Sequence, residues 1–191
     1  MTTDPHPPPP NPHSPKLTAV ILTLNESAHI QACVESLSWA DEVVVFDSYS
    51  DDDTVQLAEA AGATVLQCKF ENYAQQRNAA LDAIDTDWVF FVDADERGTP
   101  LLAEEIREVI AKRPEAGWKV PRHNYIFGKL TLGAGWHPDY QLRLLKHGKV
   151  RYVRPVHEIG EVDGEVGFLR HTLIHFNYRD VGHFHATQRA Y

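Results

Sequence analysis

The sequence is poor in cysteine, in long apolar runs and, over its first half, in basic residues. Its two cysteines, Cys33 and Cys68, form no C-x-x-C pair and have no regular spacing, which excludes a disulfide framework and predicts two reduced, packed thiols. No stretch approaches the roughly 20 apolar residues of a membrane helix, and the N-terminus lacks the basic start and apolar centre of a secretory signal. We therefore expect a cytoplasmic protein.

Proline is concentrated at the N-terminus, where residues 1–16 hold seven of the chain's 12 prolines and no apolar run. A segment of this composition cannot pack a core, so we predict a disordered tail. The remaining residues, 17–191, are numerous enough to bury one substantial core, and we expect them to form a single domain.

Charge is distributed unevenly along the chain. Residues 17–111 contain 19 acidic and four basic residues, whereas residues 112–154 contain ten basic and two acidic residues. An acidic half can hold a cation, and a basic segment can attract phosphates or an anionic acceptor. The basic segment is equally compatible with an ordinary solvated surface. We expect no nucleic-acid partner.

Apolar residues in the first hundred positions recur with periods that alternate between strand and helix. Short β-branched runs predict strands at 17–24, 43–46, 64–66 and 88–92. Helical spacing predicts a helix after each strand, the last of which ends at Pro114. Asn25 or Ser27 is expected to cap the first helix, and Asp52 or Thr54 the second.

This alternation implies right-handed crossovers and a mainly parallel α/β sheet flanked by helices. After Pro114 the pattern changes to short aromatic and β-branched pieces, which we interpret as a mixed or antiparallel part packed on the end of the sheet. We therefore divide the domain into two halves, 17–111 and 112–191. Ligands of such sheets bind beyond the carboxyl ends of the strands, here at residues 23–26, 47–50 and 93–96.

Two of these strand ends carry carboxylates. Asp93 and Asp95 follow the most hydrophobic strand, where carboxylates are costly unless a cation or hydrogen bonds compensate them. Two carboxylates one residue apart can share Mg²⁺ or Mn²⁺, which keeps open positions for the phosphates of a nucleotide diphosphate. Asp47 ends the second strand, and a carboxylate there can accept hydrogen bonds from a base or ribose.

Six short motifs occur in order along the chain: Thr23-Leu24-Asn25-Glu26, Asp47-Ser48-x-Ser50-x-Asp52-x-Thr54, Ala74-Gln75-Gln76-Arg77-Asn78, Asp93-Ala94-Asp95-Glu96, Gly135-Trp136-x-Pro138-Asp139-Tyr140-Gln141-x-Arg143 and Val156-His157-Glu158. Together they resemble family 2 glycosyltransferases, most closely the bacterial lipopolysaccharide-core β-1,4-glucosyltransferase branch. The resemblance implies a GT-A fold, a nucleotide-sugar donor (typically a UDP-sugar), a divalent metal and inverting transfer to a glycan or glycolipid acceptor.

The same resemblance implies roles for individual residues of the first half. Those that resemble the nucleotide-binding rim are Thr23, Asn25, Glu26, Asp47 and Ser48. Arg77 resembles a residue that supports the donor, although a purely structural role is also open. Asp95 resembles the principal metal ligand, and Asp93 is expected to reach the ribose or the metal.

The second half supplies the candidates for the acceptor side. An inverting transfer needs a general base for the acceptor hydroxyl, and Asp139 is our candidate, with a turn or an ion pair with Arg143 as the alternative. His157 is a candidate third metal ligand or a structural histidine. The secondary candidates are Glu158, Gln141, Arg143 and Trp136. The spacing of the other histidines, including His175, is not diagnostic.

The chain departs from the family pattern in two respects. Tyr49 stands where the family usually has glycine, so we expect the turn after Asp47 to differ. Relatives continue beyond the position of Tyr191 into helices that contact the membrane surface. We therefore expect either a truncated chain or a short relative with weaker attachment to the inner face of the cell membrane.

Two other classes of function stay open at this point. A phosphatase would carry its D-x-D-x-[TV] motif near a first strand, and a nucleotidyltransferase would carry a glycine-rich loop there. The chain instead has its D-x-D after the fourth strand, which disfavours both. A non-catalytic module that binds a nucleotide sugar is the remaining alternative, although Asp139 and the intact D-x-D favour an enzyme.

Overall fold

The first half of the chain alternates strands and helices, as its hydrophobic periods predict. The structure, a computed structural model, describes residues 14–133, 137–154 and 159–177. The strands of this half are β1 (Leu17–Thr23), β2 (Glu42–Asp47), β3 (Thr64–Gln67), β4 (Trp88–Asp93) and β5 (Glu96–Arg97). The helices are α1 (Ile30–Ser36), α2 (Thr54–Ala60), α3 (Tyr73–Ala83) and α4 (Pro100–Lys112).

In the described residues the second half is built from strands, and the prediction of a mixed region is confirmed there. The strands are β6 (Gly117–Ile126), β7 (Lys129–Leu130), β8 (Asp139–Lys146), β9 (Val150–Val153), β10 (Ile159–Val162), β11 (Val166–Phe168) and β12 (Leu173–Phe176). Strand β8 runs antiparallel to both β4 and β6, whereas β11 and β12 run parallel to β6. Strand β8 therefore joins the parallel first half to the mixed second half.

One ten-stranded sheet organises both halves. Its order is β3-β2-β1-β4-β8-β6-β12-β5, with β7 and β11 also paired to β6, and β9 and β10 form a separate two-stranded sheet. Strands β1 to β4 pair in parallel. The fold is thus the α/β architecture predicted, with the parallel strands at one side of the sheet.

The parallel strands are buried on both faces because successive side chains point to opposite sides of the sheet. Phe90 packs in the cluster formed with α1, α2 and α4, whereas Phe91 packs in the cluster formed with α3 and β9. Both phenylalanines are fully buried. Burying a side chain of this kind contributes about 1.5–3 kcal/mol to the stability of the fold. Packing on both faces of the sheet therefore fixes the position of β4 and of the residues at its end.

The side-chain caps predicted for the first two helices are not found. Helix α2 begins after Asp53 without a side-chain cap, so the expectation that Asp52 or Thr54 caps it is wrong. Helix α1 begins after His29 without a side-chain cap, so the expectation that Asn25 or Ser27 caps it is wrong. Both residues instead bond the loop after β2: the Asn25 side-chain oxygen accepts from the Asp51 N–H, and the Ser27 N–H donates to Asp52. Within the described residues, no helix combines the length and apolar character needed to span a membrane.

The folded unit includes the last residue of the proline-rich stretch. The backbone oxygen of Lys16 accepts hydrogen bonds from the N–H groups of Asp87 and Trp88, and its own N–H donates to the Asp87 carboxylate at 2.8 Å. The Lys16 ammonium also lies 3.2 Å from Glu42. The tail predicted for residues 1–16 therefore does not include Lys16, and its residues 1–13 lie outside the described residues.

Candidate active site

Three polar strand ends lie side by side at one edge of the sheet. Thr23 at the end of β1 is level with Asp47 at the end of β2, and Leu22 is level with Asp93 at the end of β4. Because paired strands lie about 4.8 Å apart, residues on three adjacent strands can contact one ligand of nucleotide size. The topology therefore brings together most of the residues predicted for the donor side.

Asp47 is fully buried, and its carboxylate organises the turn that follows β2. It accepts hydrogen bonds from the Ser50 N–H at 3.0 Å, from the Gln67 amide at 3.1 Å and from the hydroxyls of Ser50 and Thr23. Burial by itself would raise the pKa of Asp47, but these hydrogen bonds outweigh it and hold the pKa below its ordinary value. The carboxylate is thus ionised and already occupied by protein donors.

The loops after β1 and β2 are bonded to each other. The Asn25 N–H donates to the Ser50 hydroxyl at 2.8 Å, and the Glu26 N–H donates to the Thr54 hydroxyl at 2.8 Å. The Ser48 N–H donates to the Thr23 oxygen at 2.9 Å, while its hydroxyl accepts from the Gln76 amide. The predicted rim is therefore one connected surface, with Asn25 exposed on it.

Tyr49 keeps the backbone conformation that glycine adopts easily. Its φ is +62°, in the left-handed region, and its side chain is 59% exposed. A left-handed conformation costs a non-glycine residue roughly 1–2 kcal/mol. Tyr49 thus places an exposed ring beside the strand ends, and a difference from the turn of the family stays a prediction.

Asp93 is held by a buried arginine. Both of its carboxylate oxygens accept from the Arg143 guanidinium, which is 4% exposed and also contacts the fully buried Glu96 at 2.8 Å. Burial tends to raise the pKa of Asp93, but Arg143 opposes this more strongly and holds the pKa well below its usual range. Arg143, predicted as a secondary acceptor-side residue, therefore lies beneath the D-x-D and not on the surface.

Arg77 supports the same carboxylate from helix α3. Its guanidinium lies 3.8 Å from Asp93 and stacks over the rings of Phe91 and Tyr152 at 5.1 and 5.4 Å. The side chain is 10% exposed. These contacts favour the structural alternative for Arg77, in which it acts through Asp93.

Asp139 lies at the start of β8, beside Arg122 of β6. The guanidinium of Arg122 donates to Asp139 at 2.7 and 2.9 Å, Asn124 donates at 3.1 Å, and Gln141 donates to the second oxygen at 2.7 Å. Burial alone would raise the pKa of Asp139, but these donors lower it. Its ion-pair partner is Arg122, so the alternative of a pair with Arg143 is wrong.

Asp95 lies beside a histidine that the sequence does not single out. Nε2 of His175 on β12 is 3.3 Å from an oxygen of Asp95, and Nδ1 of His175 is 2.6 Å from the side-chain oxygen of Asn124. Asn124 is fully buried and donates its amide to Asp139. His175 and Asn124 are level with each other across the parallel pair β6 and β12.

These side chains form a continuous path that we call the polar ring. Each member contacts the next, in the order Asp93, Arg143, Glu96, Arg122, Asp139, Asn124, His175 and Asp95. The path closes because Asp95 is two residues from Asp93 along the chain. The polar ring connects the D-x-D to the candidate base. Sequence reasoning missed Arg122, Asn124 and His175, because only the pairing of distant strands brings them together.

Asp95 and His175 are the side chains of the ring that best suit a divalent ion. They offer one carboxylate oxygen and one imidazole nitrogen, whereas both oxygens of Asp93 contact Arg143. In the described part of the chain, no three His, Cys, Asp or Glu side chains gather into a complete ligand set. An ion here would need further ligands, which a diphosphate and water can supply. His157, Glu158 and Trp136 lie outside the described residues, so their roles stay predictions.

Comparison with known proteins identifies the family and the fold. Residues 18–160 match the family model described as glycosyl transferase family 2. The chain is 36% identical over 174 residues to the lipopolysaccharide core biosynthesis glycosyltransferase LpsC of Rhizobium meliloti (strain 1021), covering 84% of this chain and 63% of LpsC. It is 38% identical over 99 residues to an uncharacterized glycosyltransferase of Rickettsia bellii (strain RML369-C), covering 51% of this chain and 34% of that protein. The chain thus spans less than two thirds of these relatives.

Solved structures share the fold. One is glucosyl-3-phosphoglycerate synthase of Mycobacterium tuberculosis in complex with Mn²⁺, uridine diphosphate and glucosyl-3-phosphoglycerate, with a TM-score of 0.65, 20% identity and coverage of 92% of this chain and 77% of that one. Another is residues 1–349 of TarS from S. aureus, with a TM-score of 0.63, 15% identity and coverage of 84% and 60%.

Proposed function

Because the chain belongs to glycosyl transferase family 2, we propose that it transfers a hexosyl group from a UDP-sugar to a glycan or glycolipid acceptor, with inversion at the anomeric carbon. The observation that carries this proposal is the polar ring. It joins the D-x-D, which suits a metal-bound diphosphate, to Asp139, which suits an acceptor hydroxyl. A structural relative with the same fold binds UDP and Mn²⁺.

The donor side of the site is the rim formed by the loops after β1 and β2. Asn25 and Glu26 are proposed to contact the nucleotide, together with Thr23 and Ser48. Asp47 is fully buried and bonded to the protein, so its proposed role is to hold the Ser48–Ser50 turn in shape for the base. Asp93, oriented by Arg143, is proposed to accept from the ribose.

We propose Asp95 and His175 as the protein's ligands for Mg²⁺ or Mn²⁺. When bound, such an ion neutralises the charge of the diphosphate as it leaves the sugar. Both oxygens of Asp93 contact Arg143, which disfavours Asp93 as a metal ligand but leaves each oxygen a second acceptor position for the ribose. His157 stays a predicted additional ligand.

Asp139 is the proposed general base. An inverting transfer requires the acceptor oxygen to attack the anomeric carbon while its proton moves to the enzyme. The lowered pKa keeps Asp139 ionised but makes it a weaker base. The transfer therefore relies on the acceptor hydroxyl becoming strongly acidic as the new bond forms. The oxygen that accepts from Gln141 receives one hydrogen bond in the described structure and has a second acceptor position for the proton.

The acceptor is proposed to be part of a lipopolysaccharide or another cell-surface polysaccharide, because the relative LpsC is a lipopolysaccharide core biosynthesis glycosyltransferase. Six of the ten basic residues in 112–154 form ion pairs with acids of the chain, so the charge available to an anionic acceptor is smaller than the sequence suggests. The remaining four are Lys119, Lys129, Lys146 and Arg154. We propose action in the cytoplasm, at the inner face of the membrane.

A screen of nucleotide sugars by thermal stabilisation tests the donor and metal assignment. A ligand at 100 times its dissociation constant stabilises a fold by about 2.7 kcal/mol, so the correct donor with Mn²⁺ should raise the melting temperature measurably. Asp95→Asn should abolish most of the rise. Asp163→Asn, a matched change at an exposed carboxylate paired with Lys149, should leave it intact. An equal rise in Asp95→Asn would move the metal site elsewhere.

Release of UDP from the donor found in that screen separates an enzyme from a binding module. We expect metal-dependent UDP release that increases when a suitable glycan acceptor is added. Binding of the donor without any UDP release, over hours and with a panel of acceptors, would favour the module.

A further inference from the structure

We infer that Asn124 is a positioning residue that sets the acceptor-side base and the donor-side metal ligand at once. The inference rests on the proposed function and deepens it. Asn124 is fully buried on β6, between Asp139 of β8 and His175 of β12. Its side chain contacts both, at 3.1 Å to an Asp139 oxygen and 2.6 Å to Nδ1 of His175.

The orientation of the Asn124 amide follows from Asp139. Asp139 is ion-paired with the Arg122 guanidinium at 2.7 and 2.9 Å, and an ionised carboxylate only accepts hydrogen bonds. The NH₂ group of Asn124 must therefore face Asp139, and its oxygen must face His175. Since that oxygen can only accept, Nδ1 of His175 must carry the proton.

This tautomer decides which nitrogen of His175 is free to bind. With the proton on Nδ1, the lone pair of a neutral imidazole is on Nε2, the atom 3.3 Å from Asp95. In this neutral form Nε2 and the Asp95 oxygen are both acceptors and repel, and either a proton on Nε2 or a bound metal ion relieves the repulsion. Two ligands bound at right angles to one ion, each at about 2.1 Å, lie roughly 3 Å apart, which is close to the distance seen. Asn124 thus prepares His175 and Asp95 as a pair.

An imidazole ligand also has a consequence for metal choice. Mg²⁺ strongly prefers oxygen ligands, whereas first-row transition ions such as Mn²⁺ accept imidazole more readily. We therefore expect this chain to bind Mn²⁺ more tightly than Mg²⁺, and we expect the preference to depend on His175.

Pulsed electron paramagnetic resonance of Mn²⁺ bound with UDP tests the ligand pair, because modulation from ¹⁴N reports a nitrogen bound to the ion. Wild type should show it. Because His157 is a further predicted nitrogen ligand, this comparison is made in a His157→Asn background. There, His175→Asn keeps a donor toward Asn124 but removes Nε2, so it should lose the modulation and much of the preference for Mn²⁺. If modulation persists in His175→Asn while Asp95→Asn loses the ion, the inference is overturned and the proposed function stands. If Asp95→Asn binds Mn²⁺ as wild type does, the proposed metal site itself fails.

Two substitutions test Asn124. Asn124→Leu removes both contacts, and loss of such a supporting contact typically weakens metal affinity about 10- to 100-fold. Asn124→Asp keeps an acceptor for Nδ1 but removes the donor to Asp139, so it should keep the ¹⁴N modulation while kcat falls. Wild-type Mn²⁺ affinity in Asn124→Leu, or wild-type kcat in Asn124→Asp, would overturn the inference.

The tautomer can be read in the wild-type protein, without any variant that must fold. Two-bond ¹⁵N–¹H correlations of the metal-free protein distinguish the two neutral forms of a histidine. Neutral His175 should carry its proton on Nδ1. A proton on Nε2 in the neutral form would overturn the inference, whatever the variants do.

Discussion

Replacing Arg143 by methionine removes the charge that compensates two carboxylates of the polar ring. Methionine has a similar length and needs no hydrogen bonds, so the change isolates the loss of the guanidinium. Breaking a buried ion pair by removing one partner costs about 3–5 kcal/mol. The Asp93 side chain is 38% exposed and Glu96 keeps Arg122 as a partner, so we expect the lower end, about 3 kcal/mol.

The pH dependence of this loss identifies Asp93 as its source. The pKa of Asp93 is lower in the folded protein than in the unfolded chain, where it is near 3.9. In wild type the carboxylate therefore stabilises the fold at pH values above the unfolded-state pKa. That stabilisation is lost as the pH falls through the pKa of the folded protein. Arg143 lowers this pKa more than Arg77 and Arg122 do, so the pKa of Asp93 in the folded protein rises when Arg143 is removed. Protonation of Asp93 then removes the uncompensated charge from the variant. The difference in unfolding free energy between wild type and Arg143→Met should therefore be largest at neutral pH and should narrow on acidification.

Urea unfolding of the metal-free proteins at pH 7.5 and pH 4.5 measures this difference directly. Arg143→Lys is the control, because it keeps the charge and loses only the two-pronged geometry. We expect it to lose less stability than Arg143→Met. A difference between wild type and Arg143→Met that is under 1 kcal/mol, or that stays the same at both pH values, would refute the reasoning.

Three further predictions follow from single residues. Asp139→Asn should lower kcat about 10²- to 10⁴-fold while UDP affinity, measured in the same variant, stays within a few-fold; a near-normal kcat would make Asp139 structural. Tyr49→Gly relieves a left-handed conformation that costs roughly 1–2 kcal/mol and adds an entropy cost of about 0.5–1 kcal/mol, so urea unfolding should show a net gain of about 0.5–1 kcal/mol; a loss of stability would mean that the tyrosine ring packs usefully. Cys33 is fully buried and burial raises the pKa of its thiol, so an aromatic disulfide reagent should modify the half-buried Cys68 first in the native protein, and equal rates would contradict the burial.

The sequence is informative where structure depends on neighbours along the chain. The period of the apolar residues predicts β1 to β4 and their helices, and the polar residues that follow each strand predict the edge at which they meet. Asp93, Asp95 and Asp139 are recognisable because each lies in a short motif. The cap of α1 is predicted wrongly because Asn25 and Ser27 bond the β2 loop, which is distant along the chain.

The rest of the site depends on pairings that no local pattern contains. Asn124 and His175 are level only because β12 runs parallel to β6, and Arg122 reaches Asp139 only because β8 runs antiparallel to β6. The charge pattern misleads for a similar reason. Arg143 belongs to the basic segment of the sequence, yet in the fold it compensates carboxylates of the acidic half.

Calorimetric titration of UDP, with and without Mn²⁺, tests the central assignment most directly. If Asp95 anchors a metal that binds the diphosphate, wild type should bind UDP much more tightly with Mn²⁺ than in the presence of a chelator. Asp95→Asn should bind weakly in both conditions, and Asp163→Asn should behave as wild type. UDP affinity that is indifferent to Mn²⁺ in wild type, or unchanged by Asp95→Asn, would contradict a metal-dependent nucleotide-sugar site at the end of β4.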